Sequence, residues 1–209
     1  MTENSDLSIA LINLDEKKVY RILDEKIAVK VSGKEILEEL QGAMSEIGKK
    51  FEKKELFVPE LIFSGIIMKN AMKILEPLLK NADIKPRGKV IMGTVYGDIH
   101  DIGKDLVKSI LEGSGYEVID VGTNVNPEKF IEAVKSTNSK LLGLSCLLTV
   151  SFESIKKTID AIKDAGLRDK IKIMIGGAPT SEMVKEKTGA DFYGKDAFSA
   201  VKIAEKVYN

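Results

Sequence analysis

The sequence predicts an α/β protein in which an N-terminal helical bundle precedes a parallel-sheet domain. Apolar residues recur at helical spacing through about the first 80 residues, which is typical of amphipathic helices. Further along, short β-branched runs alternate with helical stretches, as in repeated strand–helix–strand units. Between these regions, residues 81–88 are polar and contain proline and glycine, which is typical of a linker. We therefore expect two domains, at residues 1–85 and 86–209.

Three main helices are expected in the first domain. The first has apolar residues at Val19, Ile22, Leu23 and Ile27. In the second, Ser32 and Glu35 have the spacing of a capping box, in which each side chain satisfies a free amide at the helix start. The third begins at Val58-Pro59 and has almost no polar stripe, so we expect it to be buried on most sides. With a short helix near residues 7–14, these segments predict a small bundle.

Five strands are expected in the second domain. They lie at residues 89–95, 117–121, 141–147, 172–175 and 191–193. The first four are nearly unbroken apolar runs, as expected for strands covered by helices on both faces. Helix starts are marked by Asn126-Pro127, Ser151 and Asp196. The prediction is a doubly wound, flavodoxin-like five-stranded parallel sheet, in which ligands bind at the carboxyl ends of the strands.

Composition excludes several classes of protein. The 32 basic and 32 acidic residues give a formal net charge of zero, so the basic charge that nucleic-acid phosphates require is cancelled locally. A single cysteine, Cys146, excludes an intrachain disulfide, and with the single His100 it is too little for a Cys/His zinc site. A secretory signal and a run of about 18 apolar residues are both missing. We expect a cytoplasmic protein without nucleic-acid or membrane partners.

Three loops at the carboxyl ends of the predicted strands hold the candidate binding residues. The loop after the first strand contains His100, the only histidine, flanked by carboxylates. The loop after the third strand, 145–151, contains small hydroxyl and apolar residues. The loop after the fourth begins with Gly176-Gly177, where missing side chains would let a large flat ligand or its tail approach the backbone.

Each feature also has an ordinary structural interpretation when it is considered alone. A loop histidine among aspartates is more often solvated or hydrogen-bonded than a ligand. A glycine pair usually permits a tight turn, and this one is neither a dinucleotide-binding fingerprint nor a P-loop. Ser145 alone could be an ordinary hydroxyl at a strand end, and the absence of a second histidine argues against a serine hydrolase triad. Cys146 is more typical of a small buried residue than of a nucleophile.

The spacing of these residues is more specific than any one of them. Asp98-x-His100-x-x-Gly103 is followed after 41 residues by Ser145-x-Leu147 and after a further 28 by Gly176-Gly177. This pattern resembles the cobalamin-binding signature of corrinoid proteins, which also occurs in the cobalamin domain of methionine synthase and in some mutases.

The resemblance implies a role for each residue of the pattern. His100 becomes the lower axial ligand of cobalt in place of the cofactor's dimethylbenzimidazole (base-off, His-on). Asp98 accepts a hydrogen bond from the other ring nitrogen of His100, and Ser145 extends this hydrogen-bonded relay. A metal-bound imidazole needs such a carboxylate to fix its tautomer. The resemblance places these further residues against the cofactor: Gly97, Asp101, Ile102, Gly103, Leu147, Thr149, Gly176, Gly177 and Ala178.

The first domain resembles the helical cap of methyl-carrying corrinoid proteins. Such a cap covers the upper face of the corrin, because reduced cobalt is a strong nucleophile that must be kept from water and oxidants. Phe57, Met68 and Met72 are the candidates for the inner surface of the cap, with Met68 as the expected cofactor contact. An ordinary role in the core of the bundle is the alternative for all three.

The two-domain layout is most similar to the small corrinoid proteins of anaerobic methyl-transfer systems. The resemblance implies that a substrate-specific methyltransferase moves a methyl group to Co(I) and that a second methyltransferase moves it from methyl-Co(III) to a thiol or tetrahydrofolate. A reductive activation protein is the third expected partner, and no turnover is expected from the chain alone. Two alternatives stay open: a cobalamin-responsive regulator, disfavoured by the lack of a DNA-binding segment, and a cofactor-free interaction domain.

Overall fold

A computed structural model describes residues 5–80 and 86–208 of the chain. The described residues form two compact units. One contains the helices before residue 81 together with Glu112–Gly115, and the other contains Pro86–Leu111 and the chain from Tyr116 onward. Residues 81–85 of the predicted linker lie outside the described residues.

Four helices form the first unit within residues 5–80. They are α1 (Asp6–Ile12), α2 (Glu16–Ala28), α3 (Gly33–Glu52) and α4 (Val58–Lys80). The side chains of Ser5, Asp15 and Ser32 each accept a hydrogen bond from a backbone N–H in the first turn of the following helix. For Ser32 the donor is the Glu35 N–H at 3.2 Å, which is the serine's half of the predicted capping box.

The core of this unit is formed by apolar side chains at helical spacing. Helix α1 packs against α2 and α3, and α3 packs against α4. The largest fully buried side chains of the first three helices are Leu7, Leu11, Leu23, Ile36, Leu40, Met44 and Ile47. The period read from the sequence therefore identifies the buried face of each of these helices.

Helix α4 differs from its prediction. Its apolar sequence predicted burial on most sides, but Ile62, Phe63 and Ile66 in its first half are exposed. Its fully buried side chains include Leu61, Ile67, Met68 and Leu75. Burial in α4 is thus one-sided although apolar residues occur all round it, because the other helices of the unit cover only part of its surface.

Five parallel strands form the sheet of the second unit within residues 86–208, which confirms the predicted fold class. They are β1 (Lys89–Thr94), β2 (Glu117–Asp120), β3 (Leu141–Ser145), β4 (Lys172–Gly176) and β5 (Phe192–Gly194), in the order β2-β1-β3-β4-β5. The strand order reverses between β1 and β3, where a doubly wound sheet has its binding crevice. Thr94 is paired with Ser145, and Ser145 with Gly176, so the loops after β1, β3 and β4 begin side by side.

Helices cover both faces of this sheet. They are α5 (Ile102–Gly113), α6 (Pro127–Thr137), α7 (Phe152–Asp164), α8 (Glu182–Thr188) and α9 (Ser199–Tyr208). Side chains of α6, α7 and α8 share one core with those of the strands, and this core includes the fully buried Phe130. At the predicted helix starts, Asp196 accepts the Ser199 N–H, whereas Asn126 and Ser151 make no capping hydrogen bond. No helix in the described parts of the chain has the length and apolarity that a membrane span needs.

Candidate functional site

The loop after β1 holds a buried carboxylate against a half-exposed imidazole. Asp98 Oδ1 lies 2.7 Å from His100 Nδ1 and also accepts the His100 N–H at 3.0 Å. The Asp98 side chain has no exposed surface, whereas that of His100 is 47% exposed. The Thr94 hydroxyl donates to the His100 carbonyl at 2.9 Å, which ties the histidine backbone to the end of the strand.

The second oxygen of Asp98 fastens the loop after β1 to the loop after β3. Asp98 Oδ2 accepts the backbone N–H of Leu147 at 2.5 Å and that of Leu148 at 3.1 Å. Burial by itself raises the pKa of Asp98, but the hydrogen bonds from the His100 and Leu147 backbone outweigh this effect and hold the pKa below its ordinary value. Asp98 is therefore ionised at neutral pH.

An ionised Asp98 fixes the tautomer of His100. Because a carboxylate only accepts hydrogen bonds, the proton of the neutral imidazole must lie on Nδ1, and the lone pair must lie on Nε2. Within the described residues Nε2 makes no hydrogen bond, and the ring is half exposed. His100 can therefore offer Nε2 to a metal while Asp98 orients the ring.

Ser145 does not join this hydrogen-bonded pair in the structure. Among the described residues, its hydroxyl makes no hydrogen bond to Asp98 or His100, because the remaining oxygen of Asp98 is held by the amides of Leu147 and Leu148. Ser145 instead lines a cavity beside the pair. The relay from Asp98 to Ser145 stays a prediction.

A cavity of about 230 Å³ opens at this edge of the sheet, between α5 and the carboxyl ends of the strands. Its wall includes these predicted site residues: Gly103, Ser145, Gly176, Gly177 and Ala178. At Gly103 a Cβ would meet nothing within 4 Å, so packing within the protein does not require glycine there. The space that its missing side chain leaves is available to a ligand.

Gly177 has a different reason for lacking a side chain. Its φ of +126° is disfavoured for other residues, and a Cβ would lie 1.9 Å from the carbonyl oxygen of Cys146. Gly177 thus allows the loops after β3 and β4 to meet. Cys146 itself is fully buried, and burial, with the nearby Asp98 charge, raises the pKa of its thiol to about 11, so it is a packing residue as predicted.

Lys104, in the first turn of α5, is a buried cation in the cavity wall that the sequence pattern did not single out. Its Nζ donates to Asp120 Oδ2 at 2.6 Å and to Asp105 Oδ1 at 2.7 Å, and its side chain is 3% exposed. Burial lowers the pKa of Lys104, but the two carboxylates outweigh burial and hold it above its ordinary value. This ion pair joins the start of α5 to the end of β2.

Exposed apolar side chains occupy the loops that carry His100 and the amides bound to Asp98. They are Ile99, Ile102, Leu147, Leu148 and Val150. Large apolar side chains grouped on the surface of a globular protein mark a binding site for an apolar partner. Of these five, Ile99, Leu148 and Val150 were missed by sequence reasoning, because a bulky residue in a loop carries no signal until the fold brings the loops together.

The predicted site residues of the second unit therefore lie in three groups. The loop after β1 and the start of α5 carry Gly97, Asp98, His100, Asp101, Ile102 and Gly103. The end of β3 and the loop after it carry Ser145, Leu147 and Thr149, and the end of β4 and the loop after it carry Gly176, Gly177 and Ala178. Leu147 and Thr149 are exposed and are not part of the cavity wall. Met68, in α4, is fully buried, and Phe57 is exposed. The contact of Met68 with a cofactor stays a prediction.

Both units match models of B12 binding domains from known proteins. The B12 binding domain matches residues 88–202, and a second model of a B12 binding domain matches residues 4–76. Dimethylamine corrinoid protein 3 of Methanosarcina acetivorans is 36% identical over 203 residues, which are 97% of this chain and 95% of the relative.

Solved structures agree with this assignment. A cobalamin-binding protein from Desulfitobacterium hafniense DCB-2 is 35% identical, with a TM-score of 0.81 over 96% of each chain. One chain in the crystal structure of the methanol:cobalamin methyltransferase complex from Methanosarcina barkeri has the same fold. The TM-score is 0.84 and the identity 24%, and the match covers 97% of this chain and 78% of that chain. Sequence and fold thus agree that this chain belongs to the family of corrinoid proteins and binds cobalamin.

Proposed function

We propose that this chain carries methyl groups between methyltransferases, with cobalamin held by His100 as the lower ligand of cobalt. The observation that carries the proposal is the 2.7 Å contact between His100 Nδ1 and Asp98 Oδ1, because it leaves Nε2 of the half-exposed ring as the donor atom. Bound cobalamin supplies the cobalt centre that accepts and gives up a methyl group. The residues of the chain orient that centre.

Asp98 is the residue that makes His100 a good ligand. Its negative charge increases the electron density at Nε2 by drawing the Nδ1 proton toward the carboxylate. The amides of Leu147 and Leu148 hold the carboxylate in place, so the imidazole has a fixed anchor. An anchored ring reaches a metal with less loss of rotational freedom than a mobile one.

The cavity beside His100 fits the part of the cofactor that leaves the cobalt. When a protein histidine replaces dimethylbenzimidazole, the nucleotide tail needs a separate binding site. The open space at Gly103 and the small residues Gly176 and Ala178 in the cavity wall supply room for such a tail. The exposed Ile99 and Ile102 supply apolar surface next to His100 for the flat corrin ring.

The proposed partners are a substrate-specific methyltransferase, a second methyltransferase acting on a thiol or tetrahydrofolate, and a reductive activation protein. The relative from Methanosarcina acetivorans, a dimethylamine corrinoid protein, aligns along 97% of this chain, which makes methylamines the first donor class to test. The helical unit is the proposed cap of the corrin, with Phe57, Met68 and Met72 as its candidate contacts.

A reconstitution experiment tests this function. The chain is loaded with cobalamin, reduced, and mixed with dimethylamine, a dimethylamine methyltransferase and a thiol methyltransferase. We expect methylated thiol only when both enzymes and the loaded chain are present. His100→Ala is expected to keep bound cobalamin, since the tail cavity is unchanged, and to transfer methyl groups at least ten times more slowly.

Two results would count against the carrier role. One is methyl transfer at the same rate without the chain. The other is no transfer with methyltransferases for mono-, di- or trimethylamine, methanol or methoxylated aromatics, although the loaded chain binds cobalamin.

A further inference from the structure

We infer that Asn124 is a positioning residue that sets the geometry of the His100 loop from outside it. The inference rests on the proposed role of His100 as the cobalt ligand. Asn124 lies in the loop after β2, is exposed, and is not part of the pattern that runs from Asp98 to Gly177.

Asn124 binds the His100 loop at two consecutive residues. Its side-chain Oδ1 accepts the Gly97 N–H at 2.8 Å, and its own backbone N–H donates to the Asp98 carbonyl at 2.9 Å. Asp98 in turn holds the His100 ring through Oδ1. A single residue on a neighbouring loop therefore fixes the backbone on both sides of the Gly97–Asp98 peptide.

The backbone of Asn124 is held in an uncommon conformation. Its φ is +51°, in the left-handed region that favours glycine and, among other residues, asparagine. Gly97, its partner, also has a positive φ, of +82°. Two residues with left-handed backbone conformations are thus joined by one side-chain hydrogen bond. Glycine at position 124 would adopt the left-handed conformation but could not accept this hydrogen bond. Asparagine supplies both.

The strand edge beside Asn124 reinforces this arrangement. The Val125 N–H donates to the Thr94 carbonyl at 3.0 Å, and the Thr94 N–H donates to the Gly122 carbonyl at 2.9 Å. The segment that carries Asn124 is thus registered on the end of β1, so its side chain meets Gly97 at a defined position. Removing the side chain leaves that backbone registration in place and removes only the contact to Gly97.

Three variants separate positioning from folding. Asn124→Gly keeps the left-handed backbone and loses Oδ1, whereas Asn124→Asp keeps an oxygen at the same place. Asn138→Gly is the matched control, because Asn138 is an exposed asparagine with a φ of +54° at the end of α6. All three are expected to fold, and Asn124→Gly is expected to lose no more stability in urea than one exposed hydrogen bond contributes, about 1 kcal/mol.

The readout is the Co(II) electron paramagnetic resonance spectrum of protein loaded with cobalamin and labelled with [15N]histidine. His100 is the only histidine, so any histidine coupling belongs to it. We expect the ratio of histidine-coordinated to uncoordinated cobalt to fall about fivefold in Asn124→Gly, as for the loss of one hydrogen bond. The ratio is expected to be retained in Asn124→Asp and in Asn138→Gly. Amide exchange at Gly97 in protein without cofactor should quicken in Asn124→Gly alone.

The outcomes distinguish this inference from the proposed function. An unchanged ratio and unchanged Gly97 exchange in Asn124→Gly, with histidine coupling intact in the unmodified protein, would overturn the role of Asn124 alone. An equal fall in Asn138→Gly would overturn it too, because the loss would not depend on contact with the loop. Missing histidine coupling in the unmodified protein would overturn the ligand role of His100 and, with it, this inference.

Discussion

Asp98 Oδ1 lies 2.7 Å from His100 Nδ1, and this contact joins a fully buried carboxylate to an imidazole that is about half exposed. The buried partner is the one that the protein holds firmly, through the amides of Leu147 and Leu148. The exposed partner is the one that a ligand can reach. Asp98 thus anchors the pair, and His100 is the side chain that a ligand can reach. We therefore expect changes at Asp98 to affect folding as well as cobalt coordination.

Replacing Asp98 by asparagine tests this coupling. In Asp98→Asn one acceptor becomes an NH2 group, which faces either the backbone amides of Leu147 and Leu148 or the backbone N–H of His100, so donors meet donors. We expect the free energy of unfolding to fall by about 1–3 kcal/mol, as for buried polar groups left unsatisfied. Urea denaturation of protein without cofactor measures this fall. A variant as stable as the unmodified protein would show that the Asp98 hydrogen bonds do not hold the two loops together.

Filling the cavity at Gly103 should weaken cofactor binding without unfolding the protein. A Cβ at Gly103 meets nothing within 4 Å, so Gly103→Leu adds volume where a ligand is expected. We expect cobalamin to bind at least tenfold more weakly by spectroscopic titration, while the urea midpoint does not fall, because leucine favours a helix over glycine.

Gly177→Ala is the contrasting variant. Its methyl group would overlap the carbonyl oxygen of Cys146 at 1.9 Å, and its φ of +126° is strained for alanine. We expect this variant to unfold at much lower urea concentration than the unmodified protein. A loss of stability in Gly103→Leu but not in Gly177→Ala would contradict both assignments, namely that Gly103 leaves room for a ligand and that Gly177 lets the loops after β3 and β4 meet.

The ion pair of Lys104 and Asp120 predicts an acid-dependent contribution to stability. Burial raises the pKa of Asp120, but the hydrogen bonds from Lys104 and the Gly122 N–H and the charge of Lys104 outweigh burial and hold it below its ordinary value of 3.8. A depressed pKa stabilises the fold above the pKa of the unfolded chain, and this stabilisation is lost as the pH falls through the lower pKa of the folded state. The pair should therefore stabilise the protein at pH 7 and lose this effect below about pH 4.

Urea midpoints of the unmodified protein and of Asp120→Asn, measured from pH 7 to pH 2.5, check this dependence. The gap between the two proteins should be largest near pH 7 and should shrink in acid. A constant gap across the range would show that Asp120 stabilises the fold through packing and not through its charge.

Much of the fold could be predicted because buried parallel strands and amphipathic helices have short-range patterns. All five strands lie where the apolar runs placed them. Their ends are less predictable: β3 was expected to continue to residue 147 but ends at Ser145, because Leu147 and Leu148 turn their amides toward Asp98, 49 and 50 residues earlier in the chain. That contact depends on the tertiary fold and leaves no local signal.

The sequence also predicted only part of the candidate site. The spacing from Asp98 to Gly177 identified residues that the fold places at one edge of the sheet. Lys104 and Asn124 were missed, because their partners come from other loops and their residue types are common in helices and turns. The exposed side of α4 was also missed, since an apolar sequence does not show which of its residues neighbouring helices will cover.

We propose that His100 coordinates cobalt through Nε2 while Asp98 holds Nδ1. The most direct test is the Co(II) electron paramagnetic resonance spectrum of the loaded protein, with natural-abundance histidine and with [15N]histidine. Because the chain has one histidine, we expect a nitrogen triplet that becomes a doublet on labelling and disappears in His100→Ala. A triplet that persists after labelling, as dimethylbenzimidazole coordination would give, contradicts it.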